Sequence, residues 1–340
     1  MPYTASLSDL LANALAHRST LLSQLELEQT DCYRLFHGSV EGVAGLTIDR
    51  YGDLILVQSF HKPLTDEILT IIRRFYADVH PGFDLIYNDR SARNSRIANP
   101  LPDDQVAAAS MPRIAHETGV AFRIQARHSG QDPWLFLDLR AARRRVTQLA
   151  SGRSVLNLFA YTCGVGIAAA HAGATFVMNV DFAQSSLDVG KENAKLNALG
   201  IRPRFIQSDV FPAIRQLSGL GQAQRVRGRR LPPFPTLEPR QFDLVFLDPP
   251  RYAKSAFGVV DLINDYPALF KPSLLATRPG GTLMCCNNVA QVEGTAWLAQ
   301  LERSAAKAGR PIRDAQWIRP DADFPSFDDN PPLKVLELSV

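Results

Sequence analysis

The most constraining feature of this 340-residue sequence is a regular alternation of apolar runs and helical segments in its second half. Apolar runs at 154–159, 175–180, 205–207, 242–247 and 281–286 predict strands, and segments at 166–171, 185–199 and 262–275 predict helices. The pattern favours a parallel, doubly wound sheet, because parallel strands need crossover connections and helices supply them. We therefore expect an α/β, Rossmann-like, mostly parallel sheet that binds ligands at the carboxyl ends of its strands.

The amino-terminal part follows a different pattern. Apolar residues between Leu7 and Leu25 recur at helical spacing. A hairpin is predicted around the turn 51–53, followed by a helix over 64–76, a strand over 83–87 and a linker rich in proline over 100–112. The expected organisation is a helix over 1–30, a small α/β domain over 31–112 and the Rossmann-like domain over 113–340.

Composition narrows the class of protein. Hydrophobic residues make up 46% of the chain, which is enough to form a core. No window approaches 18 uninterrupted apolar residues, and residues 1–11 lack the pattern of an export signal, so we expect a cytoplasmic protein without a membrane span. The four cysteines have neither disulfide-framework nor zinc-site spacing, so we expect reduced thiols and no metal.

Basic residues cluster twice, although the net charge is only +3. The first cluster, at helical spacing, comprises Arg140, Arg143, Arg144 and Arg145. The second lies in a Gly- and Pro-rich segment over 219–240 and comprises Arg225, Arg227, Arg229 and Arg230. That segment is long for a loop in a doubly wound sheet. Either cluster alone is as compatible with a solvated surface as with contact to nucleic-acid phosphates.

The turn after the first of these strands has features of a nucleoside site. It runs from Asn157 to Gly166 and lacks the GxGxxG spacing that cradles a pyrophosphate. Asp181 ends the next strand, where a carboxylate can accept both hydroxyls of a ribose, and Asp209 ends the third, where it can accept from the exocyclic amine of adenine. Either aspartate alone could equally be a helix cap. Together with the turn they indicate an adenosine ligand without phosphates.

The fourth strand ends in the most specific motif of the chain, Asp248-Pro249-Pro250-Arg251-Tyr252. Two prolines give a rigid backbone without N–H donors, so their carbonyls and the Asp248 carboxylate can face a substrate. A planar base fits this arrangement, because its edge can meet the acceptors while Tyr252 stacks on its face.

These motifs carry a resemblance to a known family. The turn 157–166, Asp181, Asp209 and the Asp-Pro-Pro-Arg-Tyr motif resemble the motif series of class I S-adenosylmethionine (SAM)-dependent methyltransferases. They are more closely similar to bacterial 23S ribosomal RNA methyltransferases that make 5-methylcytosine or 7-methylguanine. Residues 33–52 resemble the small domain that precedes the catalytic domain of the cytosine enzymes, and residues 136–140 resemble the segment that packs over the cofactor.

The resemblance implies SAM as the cofactor, 23S rRNA as the partner and an RNA contact for the small domain. It also implies a set of cofactor contacts: Asp138, Arg140, Asn157, Phe159, Tyr161, Thr162, Gly164, Asp181, Asp209 and Asp248. We further expect Asp138 and Arg140 to hold the methionine end or cover the site, and the two arginine clusters to meet phosphates.

Two chemistries are known in the families that the chain resembles. Methylation of cytosine C5 requires a thiolate that adds to C6, but the position of the family's cysteine holds Asn288 here. Cys285 and Cys286 fall within the predicted strand, where a buried thiol is the ordinary role. The guanine-N7 enzymes carry an Asn-Asn pair at this place, and N7 already bears an exposed lone pair that only needs positioning. We therefore predict transfer to a ring nitrogen, with four catalytic residues: Asp248, Pro249, Tyr252 and Asn288.

Several alternatives stay open. Within the methyltransferases these are cytosine-C5 methylation through Cys285 or Cys286, and an acceptor other than RNA. Outside them, a NAD-dependent oxidoreductase is opposed by the incomplete glycine motif. A non-catalytic RNA-binding protein is opposed by the retention of Asp181, Asp209 and the Asp-Pro-Pro motif.

Overall fold

The computed structural model describes residues 6–93, 95, 101–127, 133–226, 229–328 and 330–340. Contacts divide the chain into two compact units, of which the first comprises Met1–Arg140 and Pro320–Phe327 and the second Ala141–Arg319 and Asp328–Val340. This division differs from the boundaries predicted at 30 and 112. The backbone N–H of Asp31 donates to the His116 carbonyl at 2.9 Å, which attaches the hairpin beyond residue 112 to the first unit.

The first unit is built on a four-stranded sheet of order β1-β2-β3-β4. Its helices are α1 (Leu7–His17), α2 (Ser19–Leu27), α3 (Gly38–Glu41), α4 (Asp66–Val79) and α5 (Asp103–Ser110). Its strands are β1 (Cys32–His37), β2 (Leu46–Tyr51), β3 (Leu54–Ser59), β4 (Asp84–Asp89), β5 (Arg113–Glu117) and β6 (Val120–Ile124), and a 3-10 turn covers Leu137–Leu139. The expected hairpin is β2–β3, and α4 carries the chain to the parallel partner β4.

Two local expectations are corrected in this unit. The predicted helix over 1–30 is broken in two at Arg18, which is the C-cap of α1, and both parts pack into the same core as the sheet. The predicted linker over 100–112 contains α5 within its described residues, because Pro102 precedes an alanine-rich segment that favours a helix.

The second unit is built on a seven-stranded sheet of order β16-β17-β15-β12-β7-β8-β9. Its central strands are β7 (Ser154–Leu158), β8 (Phe176–Asp181), β9 (Arg204–Gln207), β12 (Phe242–Leu247) and β15 (Thr277–Asn287), flanked by β16 (Asp314–Ile318) and β17 (Lys334–Ser339). Two short hairpins are β10 (Arg225–Val226) with β11 (Arg229–Arg230), and β13 (Tyr252–Ser255) with β14 (Gly258–Asp261). The helices are α6 (Arg140–Ala150), α7 (Gly164–His171), α8 (Gln184–Leu196), α9 (Val210–Leu217), α10 (Pro267–Ala276) and α11 (Gly294–Lys307).

The sheet confirms the expected mostly parallel, doubly wound fold. The strands β7, β8, β9, β12 and β15 are parallel, and only β17 runs antiparallel to its two neighbours. The chain proceeds outward from β7 to β9 and then returns to β12 on the other side of β7, so the strand order reverses between β7 and β12. Such a reversal is the switch point at which open α/β sheets bind ligands. Within the described residues, no helix combines the length and the hydropathy that crossing a bilayer would require.

Candidate functional site

The strand register brings the predicted acidic residues to one edge of the sheet. Leu158 of β7 pairs with Val180 of β8 on one side and with Leu247 of β12 on the other. The next residues along these strands, Asp181 and Asp248, therefore lie at the same level on either side of β7. Two strand spacings separate them, roughly 10 Å, which is the scale of a nucleoside.

The turn between β7 and α7 has an unusual backbone. Three non-glycine residues in alternate positions, Phe159, Tyr161 and Cys163, have φ values of 56°, 48° and 64°. Each such residue costs on the order of 1–3 kcal/mol, and strain of this kind persists only where the surrounding structure enforces it. Here the enforcing bonds are the Ala160 N–H to the Val180 carbonyl at 3.0 Å and the Asn193 side-chain amide to the Thr162 carbonyl at 3.1 Å.

Asp181 ties this turn to the second strand. Its Oδ2 accepts the backbone N–H of Tyr161 and its Oδ1 accepts that of Ala183, each at 2.8 Å. The side chain is buried, and this burial raises its pKa, while the bonds from the Ala183, Tyr161 and Phe182 backbones act in the opposite direction. A carboxylate has about four acceptor positions, so these bonds orient the group and still leave a position for a ligand hydroxyl.

The buried side-chain amides of Asn157 and Asn179 support the same turn from the interior of the sheet. Asn157 donates through Nδ2 to Oδ1 of Asn179 at 3.0 Å, and Asn179 in turn donates to the Arg204 carbonyl at 3.3 Å. A Cβ on Gly166 would lie 2.0 Å from the Asn179 Oδ1, so only glycine fits there. The Asn157 side chain thus faces β8 within the protein core, and it shapes the turn from there.

Asp209 is the N-cap of α9. Its Oδ1 accepts the backbone N–H of Phe211 at 2.9 Å. Asp209 therefore caps the helix, which the sequence allowed as an alternative to ligand binding. The cap engages one of the two carboxylate oxygens, so a contact to adenine through the other stays a prediction.

The Asp-Pro-Pro motif follows β12 directly. Asp248 is half-buried, Pro249 is buried and Pro250 is exposed. Tyr252 begins the hairpin β13–β14, with its backbone paired to Asp261, while its side chain lies outside the described part of the structure. Its stacking role therefore stays a prediction.

The end of β15 separates the two asparagines. Asn287 is fully buried, where its Nδ2 donates to the Leu262 carbonyl at 3.2 Å and its Oδ1 accepts the Val289 N–H at 3.1 Å. Asn288 is exposed. Of the pair, Asn288 is therefore the one whose side chain can meet a substrate.

The two cysteines of β15 are both fully buried. Burial raises the pKa of Cys285 to about 12, against the opposing effect of a hydrogen bond with Tyr266. A thiol with such a pKa is almost entirely protonated near neutral pH and is a poor nucleophile. Cys163, in the strained turn, is also buried, and this burial raises its pKa well above the usual value.

Asp138 and Arg140 lie in the first unit. The Arg140 guanidinium is 1% exposed; it contacts Asp321 at 2.8 Å, Asp323 at 2.5 Å and the Cys32 carbonyl at 3.3 Å. Protein acceptors thus occupy all three of its nitrogens. Asp138 is half-buried and contributes to raising the pKa of Arg34. Their expected contact with the methionine end of the cofactor stays a prediction.

The two arginine clusters differ in how far the protein buries or pairs their charges. In the first, Arg143 is buried, and Arg145 forms a two-pronged ion pair with Glu337 at 2.6 and 2.9 Å. In the second, Arg225 and Arg230 are exposed and pair across the hairpin β10–β11, while Arg227 lies outside the described residues. In the second cluster, Arg225 and Arg230 therefore present their charges to solvent, and neither has an acidic partner in the described structure.

Sequence reasoning missed one side chain at this edge, Phe182. It follows Asp181 directly and is 67% exposed, which is unusual for a large apolar residue beside a buried strand. The signal available in the sequence was its position as an aromatic residue immediately after the strand-end acid.

Among the described residues, no group of three or more His, Cys, Asp or Glu side chains could hold a metal ion.

A doubly wound sheet of this strand order, with a strained turn after its first central strand and an acid ending the second, defines the class I methyltransferase fold. The chain belongs to the S-adenosylmethionine-dependent methyltransferase family, whose model matches residues 33–338. The protein is thus an enzyme whose cofactor is SAM, as the resemblance implied. This membership rules against the oxidoreductase alternative.

Named relatives and solved structures agree with this assignment. The chain is 28% identical over 302 residues to a ribosomal RNA large subunit methyltransferase I of Aeromonas salmonicida, covering 86% of this chain and 70% of the relative. It is 29% identical over 305 residues to a ribosomal RNA large subunit methyltransferase of Deinococcus radiodurans, covering 87% of this chain and 69% of the relative. A SAM-dependent methyltransferase-type structure from Streptococcus mutans superposes with a TM-score of 0.76 at 22% identity, covering 100% of this chain and 83% of that chain.

Proposed function

We propose that this enzyme methylates a base of 23S ribosomal RNA at a ring nitrogen, with N7 of guanine as the favoured atom. The observation that carries the choice of atom is the end of β15, where an exposed Asn288 follows two buried cysteines. With a pKa of about 12, Cys285 offers almost no thiolate for addition to a cytosine ring. The names of the relatives support large-subunit rRNA as the acceptor. A ribosomal acceptor implies that the enzyme acts in the cytoplasm.

The carboxyl edge of β8 and β9 fits the adenosine part of SAM. Asp181 presents an oriented carboxylate, to which the ribose hydroxyls would donate. Phe182 offers an exposed aromatic face against which adenine would pack, and the second oxygen of Asp209 would accept its amine. The strained turn over 159–164 brings main chain to this edge, where Tyr161, Thr162 and Gly164 would contact the ligand through their backbones.

The methyl acceptor would be held on the other side of β7 by the Asp-Pro-Pro motif. When bound, SAM supplies a methyl group on a positively charged sulfur. Pro249 fixes the main chain, Tyr252 would stack on the base, and Asn288 would order its edge. Transfer of that methyl group to the N7 lone pair would leave positive charge on the purine. The Asp248 carboxylate, at the level of the reacting edge, would stabilise that charge.

The test is the identity of the product nucleoside. Unmodified 23S rRNA would be incubated with the enzyme and methyl-labelled SAM, digested to nucleosides and analysed by mass spectrometry. We expect 7-methylguanosine, and we expect Cys286→Ala to keep the turnover of the wild-type enzyme. Labelled 5-methylcytidine that disappears in Cys286→Ala, with affinity for the cofactor retained, would instead establish the cytosine chemistry. Absence of any label in RNA would refute the proposed acceptor.

A further inference from the structure

Arginines collect at the edge of the second unit's sheet opposite the site described above. This amino edge is where the parallel strands begin. Four arginines there define what we call the amino-edge patch: Arg153, Arg204, Arg240 and Arg278. Arg204 begins β9, Arg153 and Arg240 precede β7 and β12, and Arg278 is the second residue of β15. All but Arg153, which is half-buried, are exposed.

Two members of the patch share one aromatic ring. The guanidinium carbon of Arg240 lies 3.7 Å from the ring centre of Phe176, and that of Arg204 lies 5.1 Å from it. Phe176 begins β8, between the strands that carry these arginines. Cation–π contact restricts both side chains, so their charges are held at the surface in fixed positions.

The protein neutralises only part of the patch. Within the described residues, neither Arg204 nor Arg240 has a carboxylate within ion-pair distance. The nearby acid Asp243 is engaged by Arg278 at 2.7 Å and by the Ser154 hydroxyl at 2.6 Å. Partial burial lowers the pKa of Arg240, and the charges of Arg204 and Arg278 lower it further. Like charges held together without an acid repel each other, and an external anion would relieve that repulsion.

The arginine-rich segment starts and ends at the same edge. The backbone N–H of Arg240 donates to the Leu217 carbonyl at 2.9 Å, which closes the base of the segment over 219–240. Gln216 holds the returning chain by donating to the Pro235 carbonyl at 3.0 Å and accepting the Leu237 N–H at 3.1 Å. The exposed Arg225 and Arg230 therefore belong to an insertion whose two ends lie beside the amino-edge patch.

We propose that the amino-edge patch binds phosphates of the same RNA whose base is methylated at the carboxyl edge. This inference rests on the proposed function and adds a requirement on the substrate. The five residues of β7 separate the two edges by roughly 17 Å. An acceptor that uses both edges must therefore be an RNA segment with phosphates at least that far from the target base, and a nucleoside cannot satisfy both.

The experiment compares the double variant R204E/R240E with the matched control K271E/R303E. The control makes the same charge change at exposed positions on helices α10 and α11. Binding of unmodified, in vitro transcribed 23S rRNA would be measured between roughly 0.05 and 0.2 M salt. Each lost phosphate contact reduces the slope of log K against log salt by about 0.7–0.9, so two contacts predict a loss of roughly 25- to 60-fold at 0.1 M salt.

Several outcomes decide the matter. Support requires that R204E/R240E lose RNA affinity and salt dependence and that K271E/R303E retain both. The affinity for S-adenosylhomocysteine (SAH), the cofactor without its methyl group, should be the same in all three proteins when measured by calorimetry. R204Q/R240Q should show a smaller loss with an unchanged thermal midpoint. If the wild-type enzyme binds and methylates rRNA but R204E/R240E does so equally well, or if the control loses as much, this inference fails while the proposed function stands. If wild-type protein neither binds nor methylates rRNA, both fail.

Discussion

At the scale of single residues, Asp181 is the one that we propose links the fold to the chemistry. It accepts two backbone N–H groups and so fixes the turn that follows β7. The same carboxylate faces the edge at which the cofactor is expected. A residue with both roles should reveal them in separate measurements of stability and of ligand binding. An isosteric amide keeps the shape of the side chain, removes its charge and turns one of its two acceptor oxygens into a donor group.

Asp181→Asn should weaken SAH binding about 10- to 100-fold, since hydrogen bonds to a charged group contribute about 1.5–3 kcal/mol. Isothermal calorimetry measures this directly. Asp188→Asn, an exposed aspartate on α8, is the matched control and should bind SAH as the wild-type protein does. Equal affinities for the wild type and Asp181→Asn would remove Asp181 from the site.

The same carboxylate predicts a pH dependence. Because burial raises the pKa of Asp181, the side chain takes up a proton at a higher pH than an ordinary aspartate. In the proposed site the ionised form accepts ribose hydroxyls, so SAH affinity should be constant above this raised pKa and fall as the pH drops through it. Calorimetric titrations at a series of pH values should show this fall in the wild type and a flatter profile in Asp181→Asn.

At the scale of elements, the turn between β7 and α7 depends on close packing against β8. Gly166→Ala would place a methyl group against the Asn179 side chain and disturb its bond with Asn157. We expect a destabilisation of about 1–3 kcal/mol, as for overpacked cores. Gly200→Ala, at a position with open space around it, should change the free energy of unfolding by less than about 0.5 kcal/mol. Denaturant unfolding of both variants tests this, and similar losses would contradict it.

The sequence predicted the elements whose signal is local. Strands such as β7 and β12 are mostly apolar along their whole length, as is typical of a buried parallel strand. β16 was missed because it is a short, largely exposed strand that mixes Asp314 and Gln316 with apolar residues. α10 begins at Pro267, five residues later than predicted, since Gly258–Asp261 form β14 and proline is favoured at the first helical position.

The site was predictable where position along a strand decides it, and not where tertiary contacts do. Asp181 and Asp248 could be placed at strand ends by periodicity alone, and the register brings them to one edge. No local pattern reveals that Asn157 faces Asn179, which is 22 residues away, or that Arg140 pairs with Asp323, which is 183 residues away. Arg140 shows this limit of sequence-based prediction. Its place in the motif suggested a contact with the cofactor, whereas in the structure it is paired with acidic side chains of the protein.

At the scale of the whole molecule, the chain leaves its second unit after β16 and contributes Pro320–Phe327 to the first. Arg140, Asp321 and Asp323 form the buried ionic cluster of this segment, and the Asp323 carboxylate also accepts the Arg34 N–H at 2.9 Å. Residues far apart in the sequence thus complete the first unit. Its stability should depend on the return of the chain.

Arg140→Met should therefore destabilise the first unit by about 3–5 kcal/mol, because it leaves two carboxylates without their buried partner. Lys195→Ala, which removes the exposed ion pair with Glu192, should cost less than about 1 kcal/mol. Denaturant unfolding compares the two, and SAH calorimetry on the folded variants separates stability from the predicted ligand contact. A stable Arg140→Met protein that has lost only SAH affinity would favour the ligand role.

The central claim is that the carboxyl edge around β7 holds the cofactor on one side and the methyl acceptor on the other. A crystal structure of the protein soaked with SAH tests it most directly. We predict that the ribose lies against the Asp181 carboxylate and the adenine against Phe182, with the sulfur directed toward Asp248. SAH bound away from Asp181 and Asp248 would contradict the claim.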